Sequence, residues 1–567
     1  MTALHHVPAC PSRHLAIYIG IPYRIETKTG TKMDRSKAKA IAQITAQMNA
    51  GNWAAAEASL LSVLKRYPAD YGFLEFMGVV KMRRKQPEAS AKFFRKALKA
   101  SPRNPVAFRN LARAEQLLGR ITSAQANLYK ALKLDPRYAE GWYSLGKIQA
   151  TKDQDDKAIN SYSKALRLRP DAAAVAADLL LLLERTNRLD ELEQHIDLFL
   201  KQAPDHPITQ LFLGVLNCRN KDYEAAKSIL ESIDFSDDSV ADFKTFELKR
   251  LRYLAKALDS LNLVEPAYKT FAEAKALNRA LHKIKLDPEL YRTALAARDA
   301  YFSSGTKPAW ENLSTAKESP FFMVGFPRSG TTLLDTFLRG HKAISVLEEK
   351  PTVTKMRESL GTVLGFEPAL LDQITPEGLN AARKAYLEAL RSYKQQGLVI
   401  DKMPLNLSFA GEIMRVFPKA RFIFVVRDPA DAVFSCFMQN FKLNASMVTL
   451  ENPLEAAKTY DSTMRIWHNA VDILNIPFVE SRYENLVHDP EATLRPIVEF
   501  LGVDWDKGLL DHQRTAKSRG VIGTPSYAQV VEPIYNTAVA RWERYADLMP
   551  EALEILAPWR KKFGYSD

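Results

Sequence analysis

A repeat of 34 residues constrains the N-terminal half of this 567-residue chain more than any other feature. Prolines and small residues both return at this interval, and a period of this length is typical of a unit of two antiparallel helices. Proline ends the second helix of each unit because it lacks a backbone N–H donor. The period therefore predicts a solenoid of helix pairs, in which small residues let neighbouring helices approach closely. The periodic positions are Pro68, Pro102, Pro136, Pro170 and Pro204, with Gly78, Ala112, Gly146 and Gly214, and with Ala97, Ala131 and Ala165.

The period is that of the tetratricopeptide repeat, and the units match it unequally. Residues 69–102 and 103–170 match strongly, whereas 34–68 and 171–204 match weakly, and a last unit is predicted between Leu254 and Leu277. Solenoids of this kind present a concave surface that binds a partner. We therefore expect the repeats to bind a protein segment.

Positive charge is concentrated at the start of the chain. The first 150 residues contain 25 lysines and arginines against 9 acidic residues, whereas residues 321–567 contain 29 against 30. A basic face attracts acidic partners such as nucleic acid, anionic lipid or an acidic polypeptide. A solvated helical surface explains the same charge equally well. Among these partners we expect an acidic polypeptide and no nucleic acid.

The chain lacks the sequence signals of a membrane or secreted protein. No apolar run reaches the ~18 residues that a spanning helix needs. The run from Leu15 to Pro22 is short and has no small-residue cleavage site. Cys10, Cys218 and Cys436 share no metal-ligand spacing. These features predict a cytoplasmic protein that spans no membrane and has no cysteine-based metal site.

A phosphate-binding loop is predicted after residue 320. The apolar run 321–325 is followed by a glycine-containing loop and then by the helical pattern of 331–338. This order directs backbone N–H groups and a helix N-terminus at an anion. Thr331 replaces the lysine of the Walker motif, so a nucleoside triphosphatase is poorly supported. Arg328 would supply the cation for a single 5′-phosphate, although an ordinary strand–turn–helix remains the alternative.

A second motif has the same order of elements. The stretch 421–426, apolar apart from Arg421, is followed by Arg427, and Ser435 lies eight residues further along. An arginine and a hydroxyl suit a second phosphate, although Arg-Asp-Pro alone often makes only a turn. In open α/β sheets, ligands bind at the carboxyl ends of the strands. The two motifs together therefore predict a ligand with two separate phosphates.

The stretches PRSGTTLL (327–334) and VVRDPADAVFS (425–435) resemble the sulfotransferases that use 3′-phosphoadenosine 5′-phosphosulfate. Together with the repeats, the whole chain resembles bacterial repeat-containing sulfotransferases, and its catalytic half resembles the tyrosylprotein sulfotransferases. The resemblance implies the sulfotransferase fold, no metal, and transfer of a sulfuryl group to an acceptor hydroxyl. Candidate acceptors are a protein tyrosine, a peptide or a hydroxyl-bearing small molecule.

These observations divide the chain into three parts. We predict a disordered segment at 1–33 and an α-helical tetratricopeptide solenoid at 34–300. An α/β three-layer domain with a parallel sheet and a P-loop-like phosphate loop is predicted at 318–567.

The resemblance also implies roles for individual residues. The loop would hold the 5′-phosphosulfate, and Arg427 and Ser435 would hold the 3′-phosphate. Tyr483 matches a family tyrosine near the adenosine, although a buried core tyrosine is the alternative, and Ser526 lies in a segment that closes over the nucleotide. The loop residues are Arg328, Ser329, Gly330, Thr331 and Thr332.

Three residues would carry the chemistry. Glu349, preceded by Glu348, matches the family's general base, since a carboxylate must remove the acceptor's proton as the bond to sulfur forms. Two adjacent carboxylates beside an anionic ligand should raise a pKa. Lys402 matches the lysine beside the leaving phosphate, where it would stabilise the developing charge together with Arg328. The alternatives are a helix cap at 348–349 and a surface lysine.

Departures from the family pattern leave a second function open. Gln439 stands where the tyrosylprotein enzymes carry another arginine for the 3′-phosphate, and Val531 and Glu532 stand where relatives often carry a basic residue. The alternative function is therefore a catalytically weak repeat scaffold that binds an acidic polypeptide. Lys517 or Arg519 would be available to compensate for the missing charge.

Overall fold

The computed structural model describes residues 35–235, 243–282, 286–305, 308, 310, 318–362, 371–518 and 539–565. The predicted segment 1–33 lies outside these residues. By its internal contacts the chain divides into two compact units, residues 1–204 and 205–567. The predicted boundaries at 300 and 318 stay predictions.

The first unit consists of antiparallel helix pairs. Each second helix ends two residues before one of the periodic prolines, as proline's missing N–H donor predicts. The helices are α1 (Arg35–Asn49), α2 (Trp53–Arg66), α3 (Tyr71–Arg83), α4 (Pro87–Ala100), α5 (Pro105–Leu117), α6 (Ile121–Leu134), α7 (Ala139–Thr151), α8 (Asp155–Leu168), α9 (Ala173–Arg185) and α10 (Leu189–Gln202).

The periodic small residues pack between the two helices of a pair. A Cβ atom added to Gly78 would lie 2.5 Å from the ring of Phe94, and one added to Gly146 would lie 2.6 Å from the ring of Tyr162. In both pairs the ring comes from the second helix and fills the space that the missing side chain leaves. This packing confirms the predicted helical solenoid.

The second unit begins with five helices: α11 (Pro207–Arg219), α12 (Tyr223–Ser232), α13 (Phe243–Ser260), α14 (Val264–Leu281) and α15 (Pro288–Ser303). Helices α13 and α14 form a helix pair at the position of the predicted last unit, and Ala255, Ala267 and Ala274 are buried in it. These helices pack on the α/β part of the same unit. For example, Phe302 of α15 lies against Gly411.

The rest of the unit is a five-stranded parallel sheet with helices on both faces. Its strands are β1 (Phe321–Gly325), β2 (Ile344–Glu348), β3 (Leu398–Lys402), β4 (Arg421–Val426) and β5 (Phe478–Arg482), in the order β2-β3-β1-β4-β5. The helices are α16 (Thr331–Leu338), α17 (Thr352–Leu360), α18 (Pro376–Ser392), α19 (Ala410–Val416), α20 (Pro429–Met438), α21 (Pro453–Leu474), α22 (Tyr483–His488), α23 (Pro490–Leu501), α24 (His512–Ser518) and α25 (Pro550–Lys562). Short 3₁₀ helices occupy Pro404–Phe409, Met447–Leu450, Lys507–Leu510 and Arg541–Leu548.

Side chains alternate between the two faces of the sheet. Met323 of β1 packs with Leu334 and Phe337 of α16 in one core. Phe322, the neighbouring residue, contacts the rings of Tyr386 on α18 and Phe422 on β4 on the other face. The α/β domain therefore has three layers, and this confirms the predicted fold class.

Candidate active site

All five strands end at residues that the sequence places in the site. Strand β1 leads into the phosphate loop, and β2 ends at Glu348 beside Glu349. Lys402 is the last residue of β3, Arg427 follows β4, and Tyr483 follows β5. Because parallel strands all point the same way, these side chains meet at one edge of the sheet.

The phosphate loop joins β1 to α16 through two residues in the left-handed region of the backbone. Arg328 has φ 70° and Gly330 has φ 100°. A Cβ atom on Gly330 would lie 2.6 Å from Cδ2 of Tyr483, so only glycine fits there. Thr331 and Thr332 occupy the first two positions of α16, whose N–H groups have no partner within the helix. This geometry suits an anion at the loop.

The two predicted phosphate motifs are hydrogen-bonded to each other. Arg328 donates from Nε to Oγ of Ser435 over 3.0 Å, and Arg427 donates to the carbonyl oxygen of Arg328 over 3.2 Å. Strands β1 and β4 are direct neighbours, which allows both contacts. The Arg427 guanidinium also lies 4.7 Å from the ring centroid of Tyr483. The sequence assigned Arg328 and Ser435 to separate phosphates, and the structure joins them.

A buried lysine lies among three carboxylates at the ends of β2 and β3. The Lys402 ammonium, which has no exposed surface, is 3.1 Å from Glu348, 3.5 Å from Glu349 and 3.7 Å from Asp335 of α16. An ammonium fixed in this way needs no rearrangement to stabilise negative charge nearby. The predicted alternative of a surface lysine is wrong, because Lys402 is fully buried.

The two adjacent glutamates differ in exposure. The side chain of Glu348 is 16% exposed and that of Glu349 is 39% exposed. The backbone N–H of Glu349 donates to the Lys402 carbonyl over 2.8 Å, and Glu349 then turns away from the sheet with φ 49°. Glu349 is therefore held by β3 and is the more accessible of the two carboxylates.

Asp401 supports this turn from the other face of the sheet. It is buried, and its Oδ2 accepts hydrogen bonds from Thr352 at the start of α17 over 2.5 Å and from Tyr386 over 3.1 Å. Burial raises the pKa of Asp401 to about 7, although the hydrogen bonds from Thr352 and Tyr386 act in the opposite direction.

We expect Asp401→Asn to remove part of the pH dependence of stability. Between the ordinary pKa of 3.8 and about 7, the folded protein holds a proton that the unfolded chain releases. The free energy of unfolding therefore falls as the pH rises through this range, and asparagine cannot contribute to that fall. Urea denaturation at about pH 5 and about pH 8 measures the difference. Asp472→Asn, at an exposed site, is the control, and equal pH slopes for wild type and Asp401→Asn would contradict the prediction.

Two buried carboxylates at the site were missed from the sequence. Asp335 lies next to Lys402, and Asp431 lies 3.5 Å from Arg427 and accepts backbone hydrogen bonds from Ala540 and Trp542. Each is the one charged residue within its helix, and that signal was available in the sequence.

Other residues considered from the sequence have separate positions. His341 accepts from the N–H of Ala343 at Nδ1 and contacts the Asp504 carbonyl at Nε2, so both ring nitrogens are used structurally. Gln439 directly follows α20. Ser526, with Val531, lies outside the described residues.

The residues that meet at the sheet edge fit a nucleotide with two phosphates. Two guanidinium groups, Ser435, Tyr483 and a helix N-terminus suit anionic oxygens and a ring. Within the described ranges we find no group of three side chains arranged to hold a metal ion. None of the described helices is both long and apolar enough to cross a bilayer.

Two family models match separate parts of the chain. Residues 320–507 match the sulfotransferase family, and residues 41–105 and 109–173 match the tetratricopeptide repeat. An uncharacterized protein of Aquifex aeolicus (strain VF5) is 23% identical over 437 residues, which are 75% of this chain and 56% of that protein. The chain thus spans little more than half the length of this relative.

Two vertebrate relatives each match a little under half of the chain. Protein-tyrosine sulfotransferase 2 of Gallus gallus is 28% identical over 277 residues, 44% of this chain and 70% of the relative. Protein-tyrosine sulfotransferase 1 of Danio rerio is 27% identical over 279 residues, 45% of this chain and 76% of the relative. The chain therefore joins a region that matches the tetratricopeptide repeat to a segment that matches the sulfotransferase family, as the 34-residue period and the two phosphate motifs predicted.

Proposed function

We propose that this protein transfers the sulfuryl group of 3′-phosphoadenosine 5′-phosphosulfate to an acceptor hydroxyl. The observation that supports the proposal is the meeting of two arginines, a buried lysine and a glutamate at the carboxyl ends of adjoining parallel strands. The sulfotransferase match over 320–507 covers all four residues.

Each phosphate of the sulfuryl donor would have its own set of residues. The phosphosulfate supplies an activated sulfuryl group when it is bound. The loop hydroxyls of Ser329, Thr331 and Thr332, with Arg328, would hold that end. Arg427 and Ser435 would hold the 3′-phosphate, and the ring of Tyr483, which lies against both Gly330 and Arg427, would border the adenosine. Ser526 keeps its predicted place near the nucleotide as part of this proposal.

Glu349 would act as the general base. Its carboxylate would take the proton of the acceptor hydroxyl as the new oxygen–sulfur bond forms and the bond to the leaving phosphate breaks. Lys402 and Arg328 would stabilise the charge that develops on the leaving oxygen. Because Lys402 is already fixed by Glu348 and Asp335, Glu349 is the carboxylate with room for an acceptor.

The acceptor that we favour is a tyrosine in an acidic polypeptide. Two relatives are named as protein-tyrosine sulfotransferases, and the repeats of this chain lie in its basic part. The repeat surface would then dock acidic residues of the acceptor by charge attraction, which salt would weaken.

Transfer of labelled sulfate tests the proposal. The full chain is given the labelled phosphosulfate and a set of acceptors that includes acidic tyrosine peptides, neutral tyrosine peptides and small phenols. We expect labelled product together with adenosine 3′,5′-bisphosphate. Tight binding of the bisphosphate without transfer to any acceptor would instead favour the scaffold alternative, to which Gln439 points. Binding of ATP that depends on Mg²⁺ would favour a nucleoside triphosphatase.

A further inference from the structure

Side chains in the last turns of helix α14 and directly after it are hydrogen-bonded to the end of helix α20 and to the segment that follows α20. Lys275 donates to the carbonyl oxygens of Cys436, over 3.2 Å, and of Gln439. Asn278 donates to the Phe441 carbonyl over 3.2 Å. The ring nitrogen Nε2 of His282 lies 3.1 Å from the Leu443 carbonyl. Lys275 and Asn278, three positions apart, lie on one face of the helix, and His282 directly follows its last residue.

This row of contacts fixes the path of residues 439–443. The segment belongs to no helix or strand, and Gln439 has the extended backbone angles φ −101° and ψ 134°. Alternate carbonyls of an extended chain point the same way, so those of residues 439, 441 and 443 face α14 together. These carbonyls would otherwise need the N–H donors of a partner strand. The side chains of Lys275, Asn278 and His282 take the place of those donors.

Lys275 also places a positive charge at the end of α20. Its side chain is 5% exposed, and its ammonium lies at the helix C-terminus, where a cation is favourable. Burial lowers its pKa to about 8, and the nearby Glu451 opposes that shift. The ammonium therefore remains mostly charged at neutral pH. Glu451 is itself paired with Arg279 over 3.3 Å.

The same charge acts on the predicted 3′-phosphate site. Cys436 directly follows Ser435, and burial raises the pKa of its thiol to about 12. The positive charges of Arg328, Lys275 and Arg427 all act against this rise, so all three cations lie close enough to the Cys436 thiol to affect it electrostatically. Lys275 is also hydrogen-bonded to the backbone of Gln439. The Gln439 side chain carries no charge, and the Lys275 ammonium places a positive charge beside the Gln439 backbone.

We propose that Lys275 is a positioning residue for the 3′-phosphate site. Lys275 fixes the end of α20 and supplies positive potential there. It lies outside the segment that matches the sulfotransferase family. The proposal rests on the proposed function, because it assumes that a 3′-phosphate binds beside Ser435. It makes the last helix pair of the helical region a structural part of the nucleotide site.

Calorimetry on the full chain with adenosine 3′,5′-bisphosphate and with AMP tests the proposal. We expect Lys275→Met to weaken bisphosphate binding about tenfold, because a cation near a phosphate is lost. AMP binding should change less than about twofold, since AMP has no 3′-phosphate. Lys269→Met removes an exposed lysine of the same helix and should change neither affinity.

The outcomes separate this proposal from the proposed function. Equal weakening of both ligands by Lys275→Met would mean a general structural role and would overturn the proposal, as would no weakening. If the wild type itself binds the two ligands equally well, the proposed function fails. Thermal denaturation checks that each variant is folded. If Lys275→Met is unfolded, Lys275→Gln, which keeps an amide donor without the charge, replaces it with the same expected loss.

Discussion

Glu349→Gln is expected to lower turnover by about 10²–10⁴-fold, the usual contribution of a general base. The affinity for adenosine 3′,5′-bisphosphate should stay unchanged, because Glu349 lies at the end of β2, whereas the phosphate residues follow β1 and β4. Glutamine keeps the size of the side chain and cannot accept the acceptor's proton. Single-turnover transfer of labelled sulfate measures the effect, with binding measured separately by calorimetry.

The neighbouring glutamate provides a matched control. Glu348→Gln makes the same chemical change one residue earlier, at a carboxylate that is closer to Lys402 and less exposed. Its effect on turnover should be smaller than that of Glu349→Gln. If Glu348→Gln proves the more damaging, the base is Glu348. If neither variant slows transfer, no general base resides at this pair and the mechanism is wrong.

Arg427→Ala is expected to weaken adenosine 3′,5′-bisphosphate binding about 10- to 150-fold, which corresponds to about 1.5–3 kcal/mol for a charge-assisted contact. AMP binding should change little, since it lacks the group that Arg427 would hold. Arg328→Ala should instead weaken both ligands, because both carry the 5′-phosphate. The pair of variants thus tests whether the two arginines serve different phosphates. Arg495→Ala, at an exposed site on α23, is the control.

The contact between the two arginines gives Arg427 a second role, which is to support the phosphate loop. Arg427 donates to the carbonyl oxygen of Arg328, so its loss also releases the phosphate loop. Parallel losses of both ligands with Arg427→Ala would show that loop support is its main role, and would contradict a separate 3′-phosphate site.

Local signals predicted most of the fold. Proline ends a helix through its own missing donor, so the predicted ends near Pro102 and Pro136 agree with helices that stop at Ala100 and Leu134. The runs 321–325 and 421–426, apolar apart from Arg421, correspond to β1 and β4, because a strand buried on both faces of a parallel sheet is apolar along most of its length.

The contacts of the site were harder to predict, because they join distant parts of the chain. The sequence placed Lys402 near a phosphate but gave no sign of its pairing with Asp335 on a different element. Lys275 and Cys436 are 161 positions apart, and nothing local to either residue indicates their contact. The order of the strands brings such residues together, and no short motif encodes that order.

Calorimetry on the wild-type chain tests the central claim most directly. Two anion sites at the ends of neighbouring strands β1 and β4 predict that adenosine 3′,5′-bisphosphate binds at least about tenfold more tightly than AMP. Equal affinity for the two nucleotides would contradict the account, because the 3′-phosphate would then have no site of its own.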